Sequence, residues 1–344
     1  MATAPSVRSI PPGFGRVHPG LAFARDAEAG SPARLERGVF TFSLDLELSV
    51  STLDSFSRYA RQHEHIAGAR RAVRGLLELL DRYQVSATWA VVAQLFRPSG
   101  PLQLSVDEWV AHNIPHDSLY APDIVDDLLA CATAQDIGCH SYRHVNMASP
   151  DIDGTVIDEE LQACQQLAAT RGIDMRSFVF PYNRIAHLDK LAARGYTSFR
   201  GANSEWYMRR FSGQNPLYGV VRLGLKMVDD IAALPPPVDV PRRTAHGLWM
   251  IPHSMFYRAL GTRVALVPIR QQVQKARRGL RLAARKKGVF HLWTHPQNLG
   301  VGTDKALDGL RQILETAADY RDRGQLDICS MAQLADRLDG KEQV

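Results

Sequence analysis

The chain has 344 residues, 45% of them hydrophobic and 22% charged, so it is long and apolar enough to bury a substantial core. This composition excludes a disordered chain and a fibrous protein. The formal net charge of +5 favours acidic partners, but most basic residues are interspersed with acidic ones and no nucleic-acid-binding motif accompanies them.

The amino-terminal segment predicts an irregular arm over residues 1–36. It is rich in Ala, Pro, Gly and Arg and lacks the continuous apolar stretch of a secretory signal, and no later run is long enough to cross a bilayer. A cytoplasmic protein is therefore expected. The four cysteines form neither a C-x-x-C pair nor a dense framework, so they are expected to be buried thiols.

The first strong strand is predicted over 38–50. Its even-numbered positions are apolar, whereas Asp45 and Glu47 fall together on the other face. Two carboxylates on an inner face are costly unless a cation or a water-filled site compensates them. The alternative is an edge strand with a solvated acidic face.

Helices and strands then alternate along the chain. Helices are predicted over 66–83, 122–134, 159–171, 185–194, 264–284 and 304–322, and strands over 87–93, 137–140, 177–180, 197–200, 248–252 and 289–294. This alternation implies an α/β fold with a mostly parallel sheet, and at this length a closed or distorted barrel. One such domain is expected over 37–340, with an irregular insertion around 203–244.

Two histidines four positions apart follow the predicted strand at 137–140. If a helical turn begins there, His140 and His144 can face one ion, although the pair alone fits structural histidines equally well. Together with Glu47 they would leave coordination positions open, as a catalytic ion requires. Such an ion acidifies a water molecule, and Asp45 could accept its proton.

Five short motifs occur in a characteristic order. They are Ser43-Leu-Asp45-Leu-Glu47, Ala87-Thr88-Trp89, His140-Ser-Tyr-Arg-His144, Phe178-Val-Phe-Pro181-Tyr182 and Leu292-Trp-Thr-His295. Over residues 39–295 this series resembles the NodB-like polysaccharide deacetylases, carbohydrate esterase family 4. The resemblance implies a distorted (β/α)7-8 barrel that removes an acetyl group from an N-acetylated sugar. It also implies a divalent metal, Zn²⁺ first, with Co²⁺, Ni²⁺, Mn²⁺ and Fe²⁺ as alternatives.

The resemblance assigns roles position by position. The implied metal ligands are Glu47, His140 and His144. Asp45 would be the base, and His295 the acid that protonates the leaving amine. The backbone N–H of Tyr182 would help to stabilise the oxyanion. Asp45 and His295 are expected on opposite sides of the ion.

Two departures from the family pattern leave a second hypothesis open. The arginine that usually lies two residues before the proline is replaced by Val179, and either Arg184 or Arg200 could take its place. The fourth motif, whose Asp tunes the catalytic histidine, is not recognisable around 247–254. A barrel that has lost turnover and only binds carbohydrate would explain both departures.

Substrate contacts are expected from Trp206, Arg184 and His253, since an aromatic plane packs against the apolar side of a sugar ring. The substrate would be an amino sugar of a surface polysaccharide or of its nucleotide- or lipid-linked precursor. A deacylase or deformylase of a non-polymeric amide is the third hypothesis.

One basic cluster stands apart from the dispersed charges. It comprises Arg277, Arg278, Arg281, Arg285, Lys286 and Lys287. A solvated helix face explains it, and the alternative is peripheral contact with a membrane or a phosphorylated carrier lipid. The sequence leaves the oligomeric state open.

Overall fold

A curled, mostly parallel sheet organises the protein. The computed structural model describes residues 30–53, 56–100, 113–201, 216–258 and 267–341. Within these ranges eleven strands join one sheet, and helices pack around it.

Eight of the described strands run parallel to all their neighbours. Numbered in chain order, the strands are β1 Ser31–Pro32, β2 Gly38–Leu46, β3 Thr88–Val91, β4 Asp136–Cys139, β5 Ser177–Phe178, β6 Ser198–Arg200, β7 Arg242–Arg243, β8 Trp249–Ile251, β9 Met255–Phe256, β10 Val289–Thr294 and β11 Leu326–Ile328. Their order is β1-β7-β8-β6-β5-β4-β3-β2-β10-β9, with β11 also beside β2. Only the pairs of β7 with β1 and β8 are antiparallel among the described strand pairs.

The curled sheet brings β8 close to β9, although the two strands are far apart in this order. Strand β8 ends at Ile251 and β9 begins at Met255, so the connecting residues can span at most roughly 14 Å. Hydrogen bonds reinforce the closure: His253 Nδ1 bonds the Gly201 carbonyl at 2.8 Å, and the Ser254 N–H donates to the His291 carbonyl at 2.9 Å. The predicted distorted barrel is confirmed.

Helices connect most of the strands. They are α1 Phe56–Tyr83, α2 Pro122–Ala130, α3 Gly154–Ala169, α4 Leu188–Ala193, α5 Pro216–Ala232, α6 Ile269–Lys286, α7 Thr303–Asp322 and α8 Met331–Leu338. The apolar residues of α1 recur with helical spacing at Ala69, Val73, Leu76 and Leu80, and all are buried. Among the described helices, none combines the length and apolar character needed to cross a bilayer.

Several boundaries differ from those predicted. Helix α1 begins ten residues earlier, because its first ten residues are mostly polar and carry little apolar periodicity. The region expected to be an irregular insertion contains α5 and β7, and the end of the expected arm pairs with β7 through β1. The sequence does not predict α5, because the stretch 203–244 is poorly periodic and contains Pro235, Pro236 and Pro237.

Candidate active site and metal centre

The polar side chains predicted to carry chemistry meet at the carboxyl ends of the parallel strands. Asp45 lies near the end of β2, His140 directly follows β4, Arg200 ends β6, and His295 directly follows β10. Strand ends of this kind gather at one rim of a β/α barrel, where active sites form. The fold therefore brings together residues that are up to 250 positions apart.

Three of these side chains converge on one point. The Oε1 atom of Glu47 lies 3.2 Å from Nε2 of His140 and 3.4 Å from Nε2 of His144, and all three ligand atoms lie within 4.8 Å of one another. A tetrahedral ion with metal–ligand distances of 2.0–2.1 Å separates neighbouring ligands by about 3.3–3.4 Å. The observed spacing fits such an ion.

The protonation of His140 supports the same conclusion. Its Nδ1 lies 2.7 Å from the carbonyl of Val179, which can only accept a hydrogen bond, so this nitrogen carries the proton. In the neutral ring Nε2 is then a bare acceptor facing the carboxylate of Glu47. Two buried acceptors in contact repel each other unless a proton or a cation lies between them, and a divalent ion meets this need.

The loop that carries both histidines is held by a buried carboxylate. One oxygen of Glu160 accepts from the N–H groups of Tyr142 and Arg143, both at 3.0 Å, and the other pairs with the Arg143 guanidinium. The expected helical turn does not form. Instead His144 adopts a left-handed conformation with φ of 59°, which its short loop imposes and which directs the imidazole toward Glu47.

Asp45 is clamped by an arginine from another strand. Two nitrogens of the Arg200 guanidinium donate to Oδ1 and Oδ2 of Asp45, each at 2.6 Å. The same guanidinium donates to Ser43 Oγ at 3.2 Å and Asn183 Oδ1 at 3.0 Å, and it lies 4.2 Å over the ring of Trp293. The sequence offered Arg184 and Arg200 as candidates for pairing with Asp45, and the structure shows that Arg200 makes this pair.

These contacts set the charge of each group. Burial alone would raise the pKa of Asp45, but Arg200, together with His140 and His295, lowers the pKa below its ordinary value. Burial opposes ionisation of Glu47 as well, yet His295 and His144 hold its pKa well below the usual range. Burial lowers the pKa of His295, whereas the carboxylates of Glu47 and Asp45 raise it, and the net pKa is raised.

His295 does not lie across the site from Asp45, and that expectation is wrong. Its Nε2 is 3.7 Å from Oδ2 of Asp45 and 3.2 Å from Oε1 of Glu47. The cause is the sheet register: β10 is the parallel neighbour of β2, with Thr294 opposite Leu44. The residues that follow in each strand are therefore side by side.

The comparisons agree with this geometry. Residues 67–197 match the family model described as polysaccharide deacetylase. The resemblance to the NodB-like polysaccharide deacetylases is confirmed. A Mycobacterium smegmatis structure assigned to the polysaccharide deacetylases shares the fold, with 15% identity and a TM-score of 0.60, covering 91% of this chain and 95% of that one.

Two further structures share the fold. A Pseudomonas aeruginosa PAO1 structure, also assigned to the polysaccharide deacetylases, has 12% identity and a TM-score of 0.55 and covers 89% of this chain and 92% of its own. PuuE allantoinase has 12% identity and a TM-score of 0.55, covering 94% of this chain and all of its own. No curated protein matches the sequence.

The structure also describes three of the four other residues that were predicted to contribute to the site. Tyr182 adopts a left-handed conformation with φ of 58°, and its ring lies 4.7 Å from that of His144. Arg184 ends the turn Pro181–Asn183 and is half-buried. His253 is buried against Trp293 with ring centroids 5.4 Å apart. Trp206 lies outside the described residues. The roles of these four residues stay predictions.

Two amides in the deacetylase-like site were missed from the sequence. Gln297 is buried and its amide donates to Oε2 of Glu47 at 3.4 Å, while Asn183 accepts from Arg200. Gln297 lies in the turn that follows β10, two residues after His295, and Asn183 lies in the turn that follows β5, two residues after Pro181. Both turns belong to segments that carry a family motif. That position was the available signal, because strand-end turns face the site.

Proposed function

We propose that the protein is a metal-dependent hydrolase that removes the acetyl group from an N-acetylated amino sugar. The observation that carries the proposal is the convergence of Glu47, His140 and His144 beside the Asp45–Arg200 pair. The deacetylase family match and the barrel support deacetylation of a carbohydrate. We further propose Zn²⁺ as the ion, because it favours tetrahedral sites of imidazole and carboxylate ligands.

The proposed reaction divides proton transfer between two groups. A divalent ion held by the three ligands would polarise the acetyl carbonyl and acidify a water molecule. Asp45, kept ionised by Arg200, accepts a proton from the attacking water. His295 donates a proton to the leaving nitrogen, so the amide C–N bond breaks to give acetate and a free amine. The Tyr182 N–H is the proposed donor to the oxyanion.

The substrate is proposed to be an amino sugar of a surface polysaccharide or of its nucleotide- or lipid-linked precursor. The Arg200–Asp45 contact weakens the hypothesis of a barrel without turnover. Position 179, where the family pattern has an arginine, is a valine, but Arg200 supplies a guanidinium to Asp45 instead. The deciding experiment measures acetate release from a panel of N-acetylated monomeric, nucleotide-linked and polymeric sugars with each divalent metal. Sugar binding without acetate release under every condition would reject the proposal.

Replacing His140 by Gln is expected to weaken metal binding at least about 100-fold. The glutamine cannot supply the imidazole nitrogen that faces Glu47. Metal affinity is measured by competition with a chromogenic chelator. His116→Gln is the control, because this histidine lies in a surface turn against Tyr120. Unchanged affinity in His140→Gln would exclude His140 as a ligand.

Replacing Gln297 by Leu is expected to weaken metal binding about tenfold, because contacts that orient a ligand tune its affinity. The substitution removes the amide that donates to the free oxygen of Glu47 but keeps a similar volume. The same chelator competition measures the effect. Gln297→Glu should not replace the contact, because an ionised carboxylate cannot donate a hydrogen bond to Glu47. Affinity equal to that of the unsubstituted protein would show that the contact does not orient Glu47.

Replacing His295 by Gln is expected to lower kcat about 100-fold while the metal stays bound. Because Glu47 and Asp45 raise the pKa of His295, its acid form persists above the ordinary imidazole range. Activity of the unsubstituted protein should therefore fall as pH rises through that raised pKa, and the substitution should remove this alkaline limb. Loss of metal would instead make His295 a fourth ligand.

A further inference from the structure

Helix α5 exposes apolar side chains on one stripe. Val221, Val228 and Ile231 are 39%, 63% and 52% exposed, and Leu234 just beyond the helix is 48% exposed. The helical members are spaced by seven and three residues, so they share one face. Of the five large hydrophobic residues exposed in the described part of the chain, only Leu129 lies elsewhere.

Two carboxylates near the end of α5 face the neighbouring helix α6. Asp229 and Asp230 both pair with Lys275 of α6, which is itself 3% exposed, and Asp230 also pairs with Arg258 at 2.7 Å. A surface helix normally buries its apolar stripe and exposes its charges. Among the side chains of α5 that the structure describes, Asp229 and Asp230 face α6, whereas Val221, Val228 and Ile231 are exposed.

The neighbouring helix α6 makes this surface strongly basic. Its eighteen residues include seven Lys or Arg and no Asp or Glu. Arg278, Arg281 and Arg285 share one face, with spacings of three and four, and all three are exposed. Arg278 donates to the carbonyls of Ala232 and Ala233, so this face adjoins the end of the apolar stripe.

The basic face also contains a concave site. Arg281 and Arg285 line a cavity of about 410 Å³ together with Arg37 and Lys287. In the described part of the chain, no carboxylate forms an ion pair with Arg281, Arg285 or Lys287. Glu36 also lines the hollow and Arg37 pairs with Asp327, so the basic side chains outnumber the one lining carboxylate, and this excess favours a phosphate-bearing group.

We propose that the α5 stripe and the α6 basic face together dock the protein on an anionic phospholipid membrane. Val221, Val228, Ile231 and Leu234 enter the boundary between head groups and acyl chains, and Arg278, Arg281 and Arg285 contact lipid phosphates. An apolar stripe bordered by arginines is the arrangement of helices that lie in a membrane interface. The proposal is independent of the proposed deacetylation, since no active-site residue takes part.

The test is sedimentation of the full chain with vesicles. Binding is expected with phosphatidylglycerol mixed into phosphatidylcholine and not with phosphatidylcholine alone. Each basic residue at an anionic surface raises partitioning about fivefold, so the double variant Arg281→Gln, Arg285→Gln should bind about 25-fold less. The double variant Val228→Ser, Ile231→Ser should bind at least about tenfold less, because it removes the inserted side chains.

Matched controls keep these results specific. Leu129→Ser removes an exposed apolar side chain on α2. The double variant Arg71→Gln, Arg323→Gln removes two exposed arginines, one on α1 and one just after α7. Both control proteins should bind vesicles as well as the unsubstituted protein does. Thermal unfolding checks that all variants are folded. Three results would overturn the proposal: no binding to anionic vesicles, equal binding to neutral ones, or unchanged binding of the Val228→Ser, Ile231→Ser variant. Self-association without vesicle binding, abolished by that variant, would assign the stripe to a second copy of the chain.

Discussion

Replacing Asp45 by Asn is expected to lower kcat for acetate release about 1,000- to 10,000-fold with the metal still bound. Asparagine has nearly the same shape and its carbonyl oxygen can still accept one of the two hydrogen bonds from Arg200, although its amide nitrogen cannot accept the other. It cannot accept a proton from water at any relevant pH. The loss should appear in kcat and remain when metal is in excess, and metal content is measured on the same samples.

The control for this substitution is another arginine–aspartate pair outside the site. Arg176 donates to both carboxylate oxygens of Asp336 at 2.7 Å on the surface of the barrel. Asp336→Asn also converts a paired carboxylate into an amide, but it should leave kcat unchanged. If Asp45→Asn loses metal in the same proportion as activity, Asp45 is a ligand and the proton acceptor lies elsewhere.

Strand parity was enough to predict half of this site. Because side chains alternate across a strand, the sequence alone places Asp45 and Glu47 on the same face of β2. The alternation of apolar helices and strands likewise predicts the barrel, and with it the gathering of strand ends at one rim. These are local signals, which is why they can be read without knowing the neighbours of each strand.

The order of the strands in the sheet could not be predicted from these local patterns. Arg200 reaches Asp45 only because β6 and β2 face each other across the curled sheet, and His295 adjoins Asp45 only because β10 pairs with β2. Parallel strands are joined by long crossovers, so sequence distance does not indicate which strands become neighbours. The choice between Arg184 and Arg200, and the expected position of His295, depended on this missing information.

Replacing Arg200 by Val is expected to destabilise the fold by about 3–5 kcal/mol, the cost of leaving one partner of a buried ion pair uncompensated. Arg200 is fully enclosed and its partner Asp45 is nearly so. The surface counterpart Arg176→Val should cost no more than about 1 kcal/mol, because water solvates the remaining Asp336. Denaturant unfolding of both variants measures the difference.

The same variant should change the response of stability to pH. Arg200 lowers the pKa of Asp45 in the folded protein, so the pair contributes its full stability above the unfolded value of about 3.9 and loses it as pH falls through the lower folded pKa. Without Arg200, the folded pKa of Asp45 rises, because only His140 and His295 still oppose the effect of burial. The difference in stability between the two proteins should therefore shrink on acidification.

The pH dependence of activity tests the Asp45–Arg200 pair independently of stability. Asp45 must be ionised to accept a proton, so its raised pKa in Arg200→Val should move the acidic limb of the pH–rate profile to higher pH. Arg176→Val should not move it. An acidic limb that stays in place in Arg200→Val would mean that Asp45 is not the group whose ionisation limits the reaction.

An exchange of two side chains tests whether the position of the guanidinium matters. Val179 lies where related deacetylases usually have their arginine, and it packs in the same buried cluster as Ala90, the register partner of Asp45. The double variant Arg200→Val, Val179→Arg keeps the composition and moves the guanidinium from β6 to position 179. If pairing with Asp45 is what Arg200 provides, the exchange should return the acidic limb toward its original pH. If the limb stays displaced in a folded double variant, pairing with Asp45 from position 179 is not sufficient, and the contacts of Arg200 with Ser43, Asn183 and Trp293 are also required.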